Sequence, residues 1–600
     1  MHATVRQTDI CFVVPAFASV QHSPLGAAVL TAACRSRGFT VGSVFANLLL
    51  AVRAGYDLYE EVCAVLPTKQ TGEYVFKPFA YAPETLSDIP EFGQPPRSRE
   101  LIDLMQPSIA GHLDEVAAAI AAHNPRIVAL TSTFQQSMGA FAIARRVRAV
   151  LPEALIVLGG ANVAGVMATG LARVFDCIDY FFDGEGDIVF PAFCEDYLRR
   201  GIRPPSRIVP CEPVADMATV PAADETDFAA ALRGFQAAGR LPASLPHFAD
   251  YESSRGCWWG AKHHCTFCGL NARGMAFREK TADRVLAEIA QVAETWPGRL
   301  IRTVDNIMPT SFFDAVLPRL AAKTSRPDLF YEVKANLKEA QIVAMRRAGI
   351  VSIQPGIESL STPVLKLMRK GVSAHQNINL LRLCETHGVR VGWNLIYGFP
   401  GEQVEHYREV LALLPALVHL CPPDGFSRIM LDRFSPYHSD GPSFGISAME
   451  PFESYYGLYP PDAPLDDIAY HFWGRYTTPF LDDAVLRAAF ADAVKRWQAS
   501  WRDGRKPRLQ LVRTKGGKPM VADTRGLTLP AIIPLSDDAD EALAFFERPR
   551  RPGELSRAAA AHADELIARR FVVAHEGLLL SLVVREASRE TVAAVAAATA

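Results

Sequence analysis

The sequence predicts an α/β protein in three parts: an N-terminal doubly wound parallel sheet, a central partial (β/α)6 barrel and a small C-terminal α+β domain. Three observations carry this. Short continuous apolar runs alternate with amphipathic stretches over residues 10–182 and again over 248–435, as strands buried on both faces do when crossover helices join them. Between the two series, Pro210, Pro213, Pro221, Pro242 and Pro246 punctuate a stretch of little periodicity, which reads as a connector laid over the surface. In the second series polar residues recur at the carboxyl ends of the strands, where β/α barrels place their chemistry. At 600 residues the chain is too long for one core. The boundaries fall at 1–209, 210–247, 248–435 and 436–600.

In the first part, Ile10-Cys11-Phe12-Val13-Val14 is a strand that stops at Pro15. An amphipathic helix over 25–36, ended by Gly38, leads to a strand over 40–45; residues 46–112 carry no comparably clear pattern. A helix over 113–122 then leads to a strand over 126–131, a helix over 139–150 to a strand over 154–160, and a last strand over 178–182 meets Asp183-Gly184-Glu185-Gly186-Asp187. In such a sheet ligands lie beyond the strands' carboxyl ends, where strand order reverses. The loops there are Ser132-Thr133-Phe134-Gln135-Gln136-Ser137, Gly159-Gly160-Ala161-Asn162 and Gly184-Glu185-Gly186. Small and hydroxyl residues let backbone approach a large flat ligand, and glycine permits positive φ. Taken singly, each loop is weak evidence, since Gly-Gly after a strand is more often an ordinary tight turn.

The second part is organised around residues 254–271, where Cys257, Cys265 and Cys268 stand in a Cys-x7-Cys-x2-Cys spacing after a short strand over 248–253. Three thiolates without a nearby fourth suit an iron–sulfur cube with one open iron; a zinc site closed by His263 or His264, or three buried thiols, are the alternatives. A helix over 282–296 precedes a strand over 300–304 that ends at Asp305-Asn306. Further strands end at Lys334, at Gly356-Ile357-Glu358-Ser359, at Gly398-Phe399-Pro400-Gly401 and at Asp432-Arg433. Glu358-Ser359, just before a helix over 362–369, also fit a helix cap.

Residues 435–473 are rich in Tyr, Phe, Gly and Pro, suited to a wall over a substrate or to a packed cap on an open barrel. The last part reads as a hairpin (509–512 and 520–522), helices over 537–546, 553–560 and 563–569, and a second hairpin (571–573 and 578–584). Arg502, Arg505, Lys506, Arg508, Arg513, Lys515 and Lys518 form a basic run, a solvated face that can also attract an acidic segment.

A net charge of −3 offers no global field for nucleic acid, and no run approaches the ~18 apolar residues of a membrane span. Residues 1–9 lack a secretory pattern, and the eight remaining cysteines are scattered as in a reducing compartment. These features predict a cytoplasmic protein with no nucleic-acid or membrane partner.

The cysteine loop, with Arg-Gly-Cys-Trp-Trp-Gly before it and His-His-Cys-Thr-Phe-Cys-Gly-Leu-Asn closing it, resembles that of radical S-adenosylmethionine (SAM) enzymes. Its wide spacing is similar to the maturases of ribosomally made, post-translationally modified peptides. The resemblance implies that Cys257, Cys265 and Cys268 hold a 4Fe-4S cluster whose open iron chelates SAM. Asp305, Asn306, Glu358, Ser359, Gly398, Phe399 and Pro400 match the family's SAM-contacting elements, with Lys334 a partner for the SAM carboxylate. The upstream loops resemble the Rossmann-like half of cobalamin-dependent members. This implies cobalamin contacts from Ser132, Thr133, Gln135, Gln136, Gly159, Gly160, Asn162, Gly184, Glu185 and Gly186. No Asp-x-His-x-x-Gly is present; the class this half resembles often leaves the lower cobalt face to a weak ligand or to none, and Gln135 or Gln136 is then the nearest side chain expected; a nucleotide-binding or degenerate Rossmann-like domain is the alternative. The C-terminal part resembles a winged-helix module, which in peptide maturases can recognise a leader peptide.

The implied activity is methylation of an unactivated carbon of a precursor peptide. SAM cleavage would generate a carbon-centred radical, methylcobalamin would supply the methyl group, and an external donor such as flavodoxin or ferredoxin would supply the electron. Cyclisation or rearrangement of the peptide, and methylation of a small metabolite, are the alternatives among enzymes. An iron–sulfur regulator that binds nucleic acid is the alternative of another class.

Overall fold

The computed structural model describes residues 8–272, 274–502, 506–514, 516–527 and 531–585. Arg505 and Lys515 of the basic run, and most of the N-terminal segment read for export, lie outside the described residues.

The first sheet is six-stranded and parallel throughout, in the order β2-β1-β3-β4-β5-β6. Its strands are β1 (Ile10–Val14), β2 (Val41–Phe45), β3 (Ile127–Thr131), β4 (Leu155–Gly159), β5 (Tyr180–Gly184) and β6 (Ile208–Cys211). All five residues of β1 are buried because helices cover both faces of the sheet. Strand order reverses between β1 and β3, the place for a ligand in such a fold.

Residues 46–105, where the sequence shows no clear pattern, form five short helices: Ala46–Ala54, Tyr56–Ala64, Thr71–Ala80, Pro83–Asp88 and Pro96–Met105. Tertiary contacts hold them. Buried Glu73 accepts the backbone N–H groups of Ser137 (2.9 Å) and Met138 (2.6 Å), and so caps the helix Ser137–Val150 from outside. Strand β6 extends the sheet beyond the predicted last strand; its Pro210 is tolerated because β6 is an edge. The predicted connector is also more than a surface strap, since its helix Thr226–Ala237 buries Phe228 and Leu232.

The second unit begins with β7 (Ala249–Tyr251). A short antiparallel pair, β8 (Ser254–Arg255) and β9 (Arg278–Glu279), closes the base of the cysteine loop. Strands β10 (Ile301–Thr303), β11 (Leu329–Glu332), β12 (Ile350–Gln354) and β13 (Arg390–Val391) join β7 in a parallel sheet of order β13-β12-β11-β10-β7. The predicted strand over 391–397 breaks at Gly392-Trp393. It continues as β14 (Asn394–Tyr397), paired in parallel with β15 (Gly425–Arg428) and tied to the larger sheet by a bridge between Glu358 and Leu395. The result is an open six-stranded β/α array.

Strands β16 (Leu431–Asp432), β17 (Ser447–Pro451) and β18 (His471–Arg475) form an antiparallel sheet. The aromatic segment beside it is a packed brace: Tyr74 Oη donates to Ser454 O (2.7 Å), Tyr81 Oη to Leu458 O (2.9 Å), and buried Tyr459 sets its ring edge-on to Phe175.

The last unit places β19 (Leu509–Arg513), β20 (Pro519–Asp523) and β21 (Ala531–Pro534) in one sheet. One helix, Arg557–Ala568, stands where the sequence suggests two. The hairpin β22 (Val572–His575) and β23 (Leu578–Ser581) is followed by β24 (Val584–Arg585), which leaves it to pair in parallel with β19. Among the described residues no helix is long and apolar enough to cross a membrane.

Candidate functional site: two abutting cavities

The cysteine loop lines a cavity of about 200 Å³, and Cys257, Cys265 and Cys268 all reach it as free, partly exposed thiols. Local and long-range hydrogen bonds together set its fold. The Gly260 N–H donates to Cys257 Sγ (3.2 Å), and Thr266 bonds through its backbone to Met368 O and through its hydroxyl to Leu367 O. Both candidate zinc-closing histidines are engaged elsewhere: a His264 ring nitrogen meets Cys268 O at 2.9 Å, and His263 stacks on Trp259. Among the described residues no three His, Cys, Asp or Glu side chains are grouped to hold a single metal ion. Three thiols around one cavity suit a polynuclear cluster. Burial raises the Cys265 thiol and pushes Cys268 up to about 12, so cluster assembly must displace their protons.

Asn306, Lys334 and Glu358 line the same cavity. Asn306 Nδ2 donates to Asn271 Oδ1 (3.1 Å). Lys334 lies 3.4 Å from the centre of a Trp259 ring and donates to Lys370 O; burial, then the neighbouring Lys370, lowers it to about 8. Glu358 holds φ +57°, an uncommon state for a non-glycine residue, and its Oε1 stands 3.6 Å from Lys370 Nζ. Burial opposes the charge on Lys370, but Glu358 and the thiols outweigh it and raise the ammonium. Sequence reasoning missed Lys370, because an Arg-Lys-Gly after a helix reads as ordinary C-terminal charge.

The other predicted SAM contacts lie outside the cavity lining. Asp305 is fully buried and accepts from Ser253 N (2.7 Å), Ser253 Oγ and Ser254 Oγ (2.9 Å), anchoring the start of the cysteine loop. Burial pushes it up to about 6 against these bonds. Ser359 Oγ accepts from Ser361 N within a turn, and Phe399 packs edge-on behind Phe267. Gly398 and Phe399 donate their N–H groups to buried Glu402, which sets the Gly398-Phe399-Pro400 loop.

A second cavity, about 800 Å³, opens at the carboxyl ends of β1, β3, β4 and β5. Thr133, Gln136, Gly159, Gly160, Gly184, Glu185 and Gly186 line it. Gly160 (φ +112°) and Gly184 (φ +121°) bring backbone close: a Cβ would stand 2.5 Å from Ser132 O at the first and overlap Cys211 O at the second. Ser132, Gln135 and Asn162 lie off the lining. Asn162 Nδ2 ties Ser132 Oγ, Ser137 Oγ and Phe134 O together, and Gln135 Oε1 accepts from Gly72 N (2.7 Å). Gln136 has both ends of its amide engaged, by Thr133 and by Pro15 O. Neither glutamine is therefore free for a ligand. The side chain presented at the loop tip is Phe134, 69% exposed at φ +46°, to which the sequence alone assigned no role. The charged lining consists of Glu185, Asp187, Asp250 and Glu252 with His22 and Arg255, so a phosphate-rich nucleotide would meet mostly negative charge.

Glu185 has a further engagement. Arg255 binds Glu185 (2.8 Å), both oxygens of Asp187 (2.8 and 2.9 Å) and Glu252, while Arg278 binds Glu185 (2.8 Å) and Val214 O. Burial would raise Glu185, but Arg278, the Val214 N–H and Arg255 lower it. This clamp links the β5 loop to the residue two positions before Cys257. The same segments serve both cavities: Arg255 and Val304 line the large one, Cys257 and Asn306 the small one.

The radical SAM superfamily matches residues 251–414. An uncharacterized methyltransferase of Pyrococcus horikoshii is 24% identical over 309 residues, 48% of this chain and 64% of the relative. The ribosomal protein uS12 methylthiotransferase RimO of Solibacter usitatus is 26% identical over 192 residues, 30% of this chain and 40% of the relative. The chain thus spans less than two thirds of each. The radical SAM methyltransferase TsrM of Kitasatospora setae, solved with cobalamin and a [4Fe-4S] cluster bound, shares the fold with a TM-score of 0.54 at 16% identity, over 81% of this chain and 91% of that one. The barrel that carries the three cysteines is thus the part of the chain that matches radical SAM proteins, with a 4Fe-4S cluster and SAM as the cofactors that match implies.

Proposed function

We propose that the chain is a cobalamin-dependent radical SAM methyltransferase acting on an unactivated carbon of a ribosomally made precursor peptide. The observation that carries the reading is that two short chain segments serve both cavities: Arg255 and Val304 line the large one, and Cys257 and Asn306, each two residues further on, line the small one. Together the bound groups would supply hydrogen abstraction and a transferable methyl group. Cys257, Cys265 and Cys268 would hold the cluster, and Asn306, Lys334 and the Glu358–Lys370 pair would surround SAM. The Thr133, Gly159-Gly160 and Gly184 backbone would hold the corrin edge, with Phe134 covering one face. Val304 and Leu270, both about half exposed, line the large and the small cavity and would help exclude water from the reacting carbon. The peptide substrate is supported by the resemblance of the cysteine loop, and a flavodoxin or ferredoxin would deliver the electron. A small-metabolite substrate is a second reading, because TsrM has also been solved with tryptophan as its substrate.

Anaerobic reconstitution with iron, sulfide and hydroxocobalamin tests the cofactors. About four iron and one cobalt per chain are expected to co-elute, and Cys257→Ala to lose iron while keeping cobalt. Iron without cobalt removes the cobalamin half of the reading; zinc without iron removes the enzyme. With SAM and a reductant, a methyl-group mass gain on a candidate precursor peptide supports the substrate, and methylation of a free amino acid in its place refutes it.

A further inference from the structure

We infer that Glu332 and Gln354 form a subsite in the barrel lumen for a cationic group of the substrate, an ammonium or a guanidinium. The inference rests on the proposed radical SAM function and adds the chemistry of what that function acts on. Parallel pairing of β11 with β12 sets Glu332 directly beside Gln354. Along these strands Leu329, Tyr331, Ile350 and Ile353 are buried, while Phe330, Glu332, Ser352 and Gln354 are partly or largely exposed on the opposite, lumen side. Glu332 and Gln354 both line the cavity that holds the three cysteines.

The other charges of that cavity already have partners. Glu358 faces Lys370, and Lys334 rests on Trp259 and on Lys370 O. Arg302, a cation near Glu332, is turned toward a His22 ring nitrogen (3.3 Å) and over Phe330. Among the described residues no donor lies within hydrogen-bond reach of the Glu332 carboxylate, although burial pushes it up to about 7. A half-buried carboxylate with no donor offers its acceptors to a group that brings its own protons and positive charge, and the exposed Gln354 carboxamide beside it can turn its oxygen to the same group. An anionic group placed against Glu332 would meet a like charge.

The test uses the reconstituted full-length protein, with and without SAM, and ligand-observed NMR titration of n-butylammonium, n-butylguanidinium and n-butanol. Both cations are expected to bind at least about tenfold tighter than the alcohol, and Glu332→Gln to bring them to the alcohol's level while SAM affinity stays within about twofold. Equal binding of n-butanol, or cation binding undiminished in Glu332→Gln, overturns the inference. So does a Glu332→Gln protein that loses SAM affinity while SAM displaces n-butylammonium, since the carboxylate then serves SAM's own ammonium. Gln354→Leu, expected to weaken the cations several-fold, covers a Glu332→Gln protein that fails to fold. Gly-Lys-Gly and Gly-Leu-Gly form a separate arm: if n-butylammonium binds and neither peptide does, the peptide reading fails and the subsite stands.

Discussion

Replacing Arg255 by Met removes the clamp between the two halves and leaves the chain's apolar packing nearly unchanged. Arg255 is 15% exposed and its partners Asp187 and Glu185 are 8% and 23% exposed, so the pairs are largely desolvated. Glu185 would keep Arg278, but among the described residues no other cation is bonded to Asp187. Removing one partner of a buried pair costs about 3–5 kcal/mol. Asp187 lies in the first turn of the helix Gly186–Glu195, which returns roughly 0.5 kcal/mol or more, for a net cost near 3 kcal/mol. The opening free energy between the halves, read by native-state proteolysis in the 212–247 connector, measures it. In a cycle with Asp187→Asn, the double variant is expected to cost about 1–2 kcal/mol less than the two single variants added. Under the proposed function cobalamin affinity should fall with the clamp, because Glu185 and Asp187 line the large cavity. An additive cycle, or unchanged proteolysis in Arg255→Met, would refute the clamp as a link between the cavities.

Two further outcomes follow from burial. Burial raises the Glu332 carboxyl from 4.5 to about 7; Arg302 and Lys370 pull it down, Glu358 and Asp305 push it up. The folded state therefore binds more protons than the unfolded state in this range, and stability falls as pH rises through 7. Glu332→Gln lacks this loss, so its advantage over the parent should be near zero at pH 4 and reach up to about 3 kcal/mol by pH 8, read from melting scans; a pH-independent difference contradicts it. Tyr459→Ala opens a void against Phe175 and should cost about 3–5 kcal/mol, whereas Tyr459→Phe should cost little. A Tyr459→Ala protein that melts normally but binds substrate poorly would return the aromatic segment to the role of a substrate wall.

What the sequence determined by itself was what short-range pattern encodes. Ile10–Val14 and Leu25–Ser36 appear where apolar runs and helical periodicity place them, and Cys257, Cys265 and Cys268 are joined by a spacing short enough to fold as one loop. The glycines after β4 and β5 were legible for the same reason, since positive φ is a property of single residues. The helices of residues 46–105 were not, because each is short, several are entered or interrupted by proline, and caps such as Glu73 on the helix Ser137–Val150 come from distant chain. Only the tertiary structure decided the partners of the site's charges. Asp305 turned inward to Ser253 and Ser254, Glu185 was drawn to Arg255 and Arg278, and Lys370 met Glu358. Phe134 took the exposed place at the cavity where a glutamine had been expected. A side chain's type fixes what it can bond, but its partner depends on strand register and domain docking between segments far apart in the chain, and local sequence carries neither.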